Sequence, residues 1–222
     1  MWRDARLVAG KDLRLEWRSR VALNQVVPFA MLVLIVFAFA LDPDRGVLER
    51  ATPGLYWVAV LFSGLLALQR SFTIEAVDGN RDSLRLSGLD PAGIFLGKAL
   101  AVGVQLLVLE VLLGIGVALL YTTQFRGWLL LLCTVVVATA GIAAAGTLYG
   151  VLAAGLRVRE TLLPLLLLPV LAPVLIGSTR AFEAALADAP ADGWPWIGLL
   201  AVFAVLYIVA GVLGFGPLLE ES

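Results

Sequence analysis

The chain has 222 residues, of which 61% are hydrophobic and 15% charged, and its mean hydropathy is +0.97. A water-soluble domain carries about 25% charged and 45–50% apolar residues, so the composition excludes a soluble globule and describes a membrane protein. A net charge of −1 with no basic stretch argues against a nucleic-acid partner, and one cysteine (Cys133) with no histidine argues against an internal disulfide or a His/Cys metal cluster.

A hydrocarbon core about 30 Å thick takes about 20 apolar residues as a helix. Six stretches meet that length: Val21 to Leu41, Pro53 to Gln69, Ile94 to Tyr121, Trp128 to Leu156, Thr161 to Ser178 and Trp194 to Gly216. The connections are short, so the predicted fold class is an all-α integral membrane bundle of six helices forming a single domain over residues 1–222.

Residues 1–20 come first and hold six basic side chains, Arg3, Arg6, Lys11, Arg14, Arg18 and Arg20. Trp2, Ala5, Ala9, Leu13 and Trp17 share a rough helical face, which predicts a short interfacial helix on the inner leaflet; a frayed basic tail is the alternative. Ala38-Phe39-Ala40 imitates a signal-peptidase site. A signal peptide, however, joins a short charged start to about 7–15 apolar residues, so the first span is expected to stay.

Basic residues in short loops stay cytoplasmic. Besides the six at the start, Arg70, Arg81, Arg85 and Lys98 flank the second connection and Arg157 and Arg159 the fourth, while only Arg45, Arg50, Arg126 and Arg180 lie on the opposite side. Both termini are therefore expected in the cytoplasm. Trp57, Trp128, Trp194 and Trp196 fall near the outer ends of spans, where amphipathic rings settle at headgroup level.

The connection from Gln69 to Pro91 interleaves acidic and basic residues with a few apolar ones, and Asp78-Gly79 divides it into two short helical pieces. Phe72, Glu75, Asp78, Gly79, Arg81, Asp82 and Leu84 suit docking to a soluble partner; a solvated connector is the plain alternative. Next, Gly93-Ile-Phe-Leu-Gly97-Lys98 is not a nucleotide-binding loop, because alanine fills positions 92 and 99 where that motif needs glycine and a hydroxyl residue. It is expected to open the third span with a snorkelling lysine.

Within the third span Glu110 is the lone acid, with Gln105 five residues earlier. A carboxyl group in the hydrocarbon is a functional candidate by default. Three uses stay open: a hydrogen bond to a neighbouring helix, a subunit contact, or transport chemistry. The fourth span offers Gly141, Ala145, Gly146 and Gly150 as a small-residue face for close helix packing, with the neighbour in this chain or in another. Pro164, Pro169 and Pro173 should bend the fifth span. After it, Phe182 and Leu186 lie one turn apart and suggest a separate short amphipathic helix at the outer surface.

The six-span plan with a short helix-bearing loop between spans two and three resembles the permease subunits of type-2 ABC exporters. More closely, Pro53-Gly54-Leu55-Tyr56-Trp57-Val58-Ala59, Leu65 through Arg70 to Asp78-Gly79, and Leu168-Pro169 to Pro173 resemble the haem exporter protein B family of bacterial cytochrome c maturation. Gln69 departs from that pattern, which has an acidic residue before the arginine.

The resemblance implies a multi-pass permease of the bacterial inner membrane that is not itself an enzyme. Its partners would be a cytoplasmic ABC ATP-binding subunit carrying the ATP, other membrane subunits of the maturation complex, a periplasmic haem chaperone and, as a further candidate, a second copy of itself. Haem would be a ligand handled or transported, with its iron ligands supplied by a partner. A type-2 exporter of another amphiphile, lipid or drug, and a non-transporting membrane scaffold are the alternatives.

Overall fold

The structure, a computed structural model, describes residues 1–19, 26–41, 46–77, 88–121, 127–154, 159–187 and 190–221. Among these residues there are seven α-helices and no strand: α1 (Trp2–Ser19), α2 (Val27–Ala40), α3 (Val47–Val77), α4 (Pro91–Leu120), α5 (Trp128–Ala154), α6 (Arg159–Leu186) and α7 (Trp194–Glu221), with a 3-10 turn at Pro190–Gly193 before the last. Five stretches are long and apolar enough to cross a bilayer: Val47–Gln69, Pro91–Leu120, Trp128–Ala153, Leu163–Leu186 and Pro190–Leu218. The chain is thus a multi-pass helical membrane protein. At 14 residues, α2 extends only about 21 Å at 1.5 Å per residue; positions 21–25 of the predicted first span lie outside the described residues.

Local chemistry sets the start of α4. Gly88 turns the chain with φ +65°, Asp90 caps the helix by accepting the Ala92 N–H at 3.2 Å, and Pro91 occupies the first turn, where its missing N–H costs nothing.

Helix α5 is the hub, packing against α3, α4, α6 and α7. Its small residues do not form the single face the sequence suggested. Gly146 lies under Leu68 of α3 so closely that an added methyl would overlap that side chain, while Gly141 receives Phe203 of α7, whose ring would stand 3.1 Å from a Cβ there. Ala145 and Gly150 are buried. A helix rotates 100° per residue, so positions five apart look about 140° away from each other, and the small residues admit two different neighbours of the same chain.

The bilayer-facing surface follows from the same geometry. Val104, Val108, Val111, Ile115 and Leu119 are exposed along α4, as are Val202, Val205, Leu206, Val209 and Leu213 along α7, the apolar surface that lipid accommodates.

Three other expectations are corrected. Trp57 is fully buried, packed edge-on to Tyr56 at 5.5 Å, so it does not join the expected aromatic belt; Trp128 and Trp194 are exposed and Trp196 is half-buried. The separate outer helix does not exist: α6 runs through Pro164, Pro169 and Pro173 to Leu186 as one helix, and Phe182 is buried, stacked on Tyr56 at 4.9 Å. Nor is the first helical piece after Gln69 separate: the apolar span ends at Gln69 as expected, but its helix, α3, continues unbroken to Val77.

Candidate functional site

One cluster lies where α1 crosses the start of α4. The two glycines of Gly93-Ile-Phe-Leu-Gly97 form a saddle. A Cβ at Gly93 would come 2.9 Å from Asp4 Cβ and the Met1 carbonyl, and one at Gly97 would come 2.7 Å from the Ala5 carbonyl and Val8 Cβ. Beside the saddle Lys98 is 3% exposed and its Nζ stands 3.8 Å from Asp12 of α1, which also receives Lys11 at 3.1 Å. The lysine expected to snorkel is instead covered by α1, and a carboxylate compensates the charge there.

The predicted face of α1 is therefore divided. Ala5 is buried together with Val8, whereas Trp2 and Trp17 are exposed. At the tip, the Met1 ammonium pairs with Asp90 at 3.3 Å and with Asp4 at 3.5 Å. Partial desolvation lowers its pKa, but the Asp90 hydrogen bond and the charges of Asp4 and Asp90 outweigh this and hold it above its ordinary value. Across the bundle end, Pro91 lies 3.6 Å from the position of a Cβ at Gly216 of α7, and Phe95 meets Phe215 at 5.6 Å. The starts of α1 and α4 and the end of α7 thus share one end of the bundle.

A second cluster is intramembrane. Glu110 of α4 is 1% exposed, and the Thr139 hydroxyl of α5 stands 2.7 and 2.8 Å from its two carboxyl oxygens. Tyr56 of α3 donates to the Glu110 carbonyl at 3.0 Å. Three helices thus meet at one acidic residue. A charge in hydrocarbon is costly unless paired, and the partner found here is a hydroxyl. The sequence marked Glu110 as the lone acid of its span but missed Thr139, although Thr134, Thr139 and Thr147 offered hydroxyls in the next span. Gln105 is not in this network; it lines an apolar cleft with Ser63.

The predicted docking segment is only partly visible. The backbone of Phe72 and Glu75 belongs to the end of α3; Asp78, Gly79, Arg81, Asp82 and Leu84 lie outside the described residues.

The chain matches the family described as CcmB protein over residues 4–217. It is 31% identical over 187 residues to heme exporter protein B of Haemophilus influenzae, covering 82% of this chain and 83% of the relative. Similarity to heme exporter protein B of Escherichia coli strain K12 is 32% over 220 residues, 97% of this chain and 93% of the relative. The protein of the same name from Pseudomonas aeruginosa is 30% identical over 204 residues, 90% of each chain.

Proposed function

The chain belongs to the CcmB protein family, and from that premise we propose that it is the membrane permease subunit of a haem-export system serving c-type cytochrome biogenesis. The family match across nearly the whole chain carries this reading. In it the six spans form one domain in the bacterial inner membrane with both termini cytoplasmic. A separate ATP-binding subunit docks on the connection after α3, further membrane subunits complete the assembly, and a periplasmic haem chaperone receives the haem.

Helix α3 is suited to carry force in such an assembly. It runs unbroken from the bundle core to Val77, so a displacement at Phe72, Glu75 and the following Asp78 to Leu84 would travel along a rigid rod to Leu68, seated on Gly146. Haem iron is held by His, Met, Cys or Tyr. The chain has no His, and its four tyrosines are engaged: Tyr56 and Tyr121 donate to the carbonyls of Glu110 and Leu34, and the rings of Tyr149 and Tyr207 pack on each other with centroids 6.4 Å apart. This supports a division of labour in which partner subunits ligate the iron and this subunit offers apolar surface and transmits the ATPase stroke.

Co-purification from native membranes tests the reading. A cytoplasmic ATPase recovered together with haem-pathway membrane proteins supports it; an ATPase without them favours an exporter of another amphiphile, and no ATPase a scaffold. The double variant Asp78→Lys, Asp82→Lys should lose the ATPase in detergent while still inserting, with the loss greater at high salt as screening weakens the remaining pairs. Undiminished retention would return the segment to a solvated connector.

A further inference from the structure

Two surfaces meet where α1 lies on α4. At 100° per residue, Gly93 and Gly97 fall on the same third of α4 as Leu100, Val104, Val111 and Leu119. Those four apolar residues are exposed and extend over about 29 Å at 1.5 Å per residue, close to the roughly 30 Å of a hydrocarbon core. The glycines carry α1 instead, through Asp4, Ala5 and Val8, and stand about 5 and 10 Å beyond Leu100 along the helix. Headgroups add about 5–8 Å on each side of the hydrocarbon. Helix α1 therefore continues the lipid-facing stripe of α4 at headgroup depth, with Trp17 bordering the same cleft as Val104.

The saddle also decides which side of α1 is turned outward. Ala5 and Val8 are buried on it, while Asp4 accepts the Asp90 N–H at 3.4 Å and Asp12 meets Lys98 at 3.8 Å. Arg3, Arg6, Arg14 and Arg18 are exposed and lie within about 120° of one another around the helix. Leu7 and Trp17, exposed as well, fall inside that arc. All three acids of residues 1–18, Asp4, Asp12 and Glu16, fall outside it and are half-buried. The outward surface is thus cationic, with an indole and an aliphatic side chain among its arginines. Planar guanidinium groups bond phosphate oxygens in pairs, and indole rings settle at headgroup level. An acidic protein would match the charge of this surface, whereas its place at the end of a lipid-facing stripe favours the bilayer.

We propose that the outward face of α1 binds the headgroups of anionic phospholipids in the adjoining leaflet, with Arg3, Arg6, Arg14 and Arg18 pairing with their phosphates. The site goes beyond the haem reading and does not rest on it.

Lipid occupancy at α1 itself is read by a bimane fluorophore on Leu7→Cys in a Cys133→Ser background. The full chain is placed in mixed vesicles of phosphatidylglycerol and phosphatidylcholine, one or the other carrying brominated acyl chains that quench the fluorophore when they adjoin it. Phosphatidylglycerol should be enriched there about fivefold or more over its bulk fraction, since each cation near an anionic surface is worth about that factor. The enrichment should shrink between low and high salt. Changing Arg3, Arg6, Arg14 and Arg18 together to Gln should bring it close to one, and changing the four to Lys, which keeps the charge, should retain most of it. Arg50→Gln with Arg180→Gln, at exposed positions outside α1, should leave it unaltered. Equal quenching by the two lipids, or an enrichment undiminished by the four glutamines, would overturn the proposal. Quenching by neither lipid would set α1 apart from the bilayer and give its outward face to a protein partner instead.

Discussion

Glu110 shows how far one side chain can be understood from its surroundings. Its carboxyl group meets the Thr139 hydroxyl, and its carbonyl holds Tyr56, so α3, α4 and α5 are tied at a single position. If the tie is structural, what matters is hydrogen bonding and not charge. Glu110→Gln should then leave assembly and function close to native, whereas Glu110→Leu orphans the Thr139 hydroxyl and should lower stability by about 1–2 kcal/mol, the range found for interhelical hydrogen bonds. Thermal unfolding in detergent of the two variants beside Thr139→Val checks this. A Gln variant that assembles normally yet fails in cytochrome c maturation would assign a role to the ionisable group itself. The acid was legible in the sequence because it is alone in its span. Its partner was not, since which of Thr134, Thr139 and Thr147 faces it depends on the rotation of α5 against α4, which periodicity does not encode.

Between elements, the contact of α1 with α4 illustrates the same boundary. A basic, tryptophan-bearing amphipathic helix could be read from residues 1–20, and so could the glycines at 93 and 97. That the helix sits on those glycines could not, because a small-residue pair specifies close approach without naming what approaches. Only the end of the fifth span was misread: the separate helix expected after it is the last part of α6. Prolines at 164, 169 and 173 remove N–H groups that would bond the carbonyls of residues 160, 165 and 169, yet neighbouring helices hold the segment helical to Leu186. Likewise the burial of Trp57 reflects Tyr56 and Phe182 closing over that end of the bundle, a tertiary effect no belt rule contains.

The α1 contact also makes a prediction. Lys98 is buried against Asp12, which is itself 12% exposed, and a buried pair broken on one side leaves an uncompensated charge worth roughly 3–5 kcal/mol. Here Lys11 still attends Asp12, so Lys98→Met should cost less, about 1–3 kcal/mol. The double variant Asp12→Leu, Lys98→Met should recover most of that loss, as apolar replacement of both partners does. Gly97→Leu should lift α1 from its saddle irrespective of charge, seen as rapid proteolysis after Lys11 or Arg14. A double variant no better than the single one would show that the pair is not coupled.

For the whole molecule, the arrangement of ends constrains topology. The start of α1, the start of α4 and the end of α7 gather at one end of the bundle, through Gly93, Pro91 and Gly216. Consequently one observation about the side on which any of them lies fixes all three. In the proposed topology the bias of basic residues, twelve against four, puts that end in the cytoplasm by the positive-inside rule, and ends that share a side require an even number of crossings between α1 and the end of α7. Five stretches have spanning length among the described residues, and the proposed six-span topology takes α2 (Val27–Ala40) as the remaining crossing. Single cysteines at Asp44, Gln124 and Asp188, introduced into a Cys133→Ser background, should react with membrane-impermeant thiol reagents applied to intact cells. Cysteines at Ser83 and Ser222 should react only after the membrane is opened. Were α2 to turn back without crossing, the start of α1 and the end of α7 could share a side only if another span failed too, and Asp44 would be protected together with Ser83. Labelling of Ser222 from outside in intact cells would invert the orientation of the entire bundle and remove the docking connection after α3 from reach of a cytoplasmic ATPase.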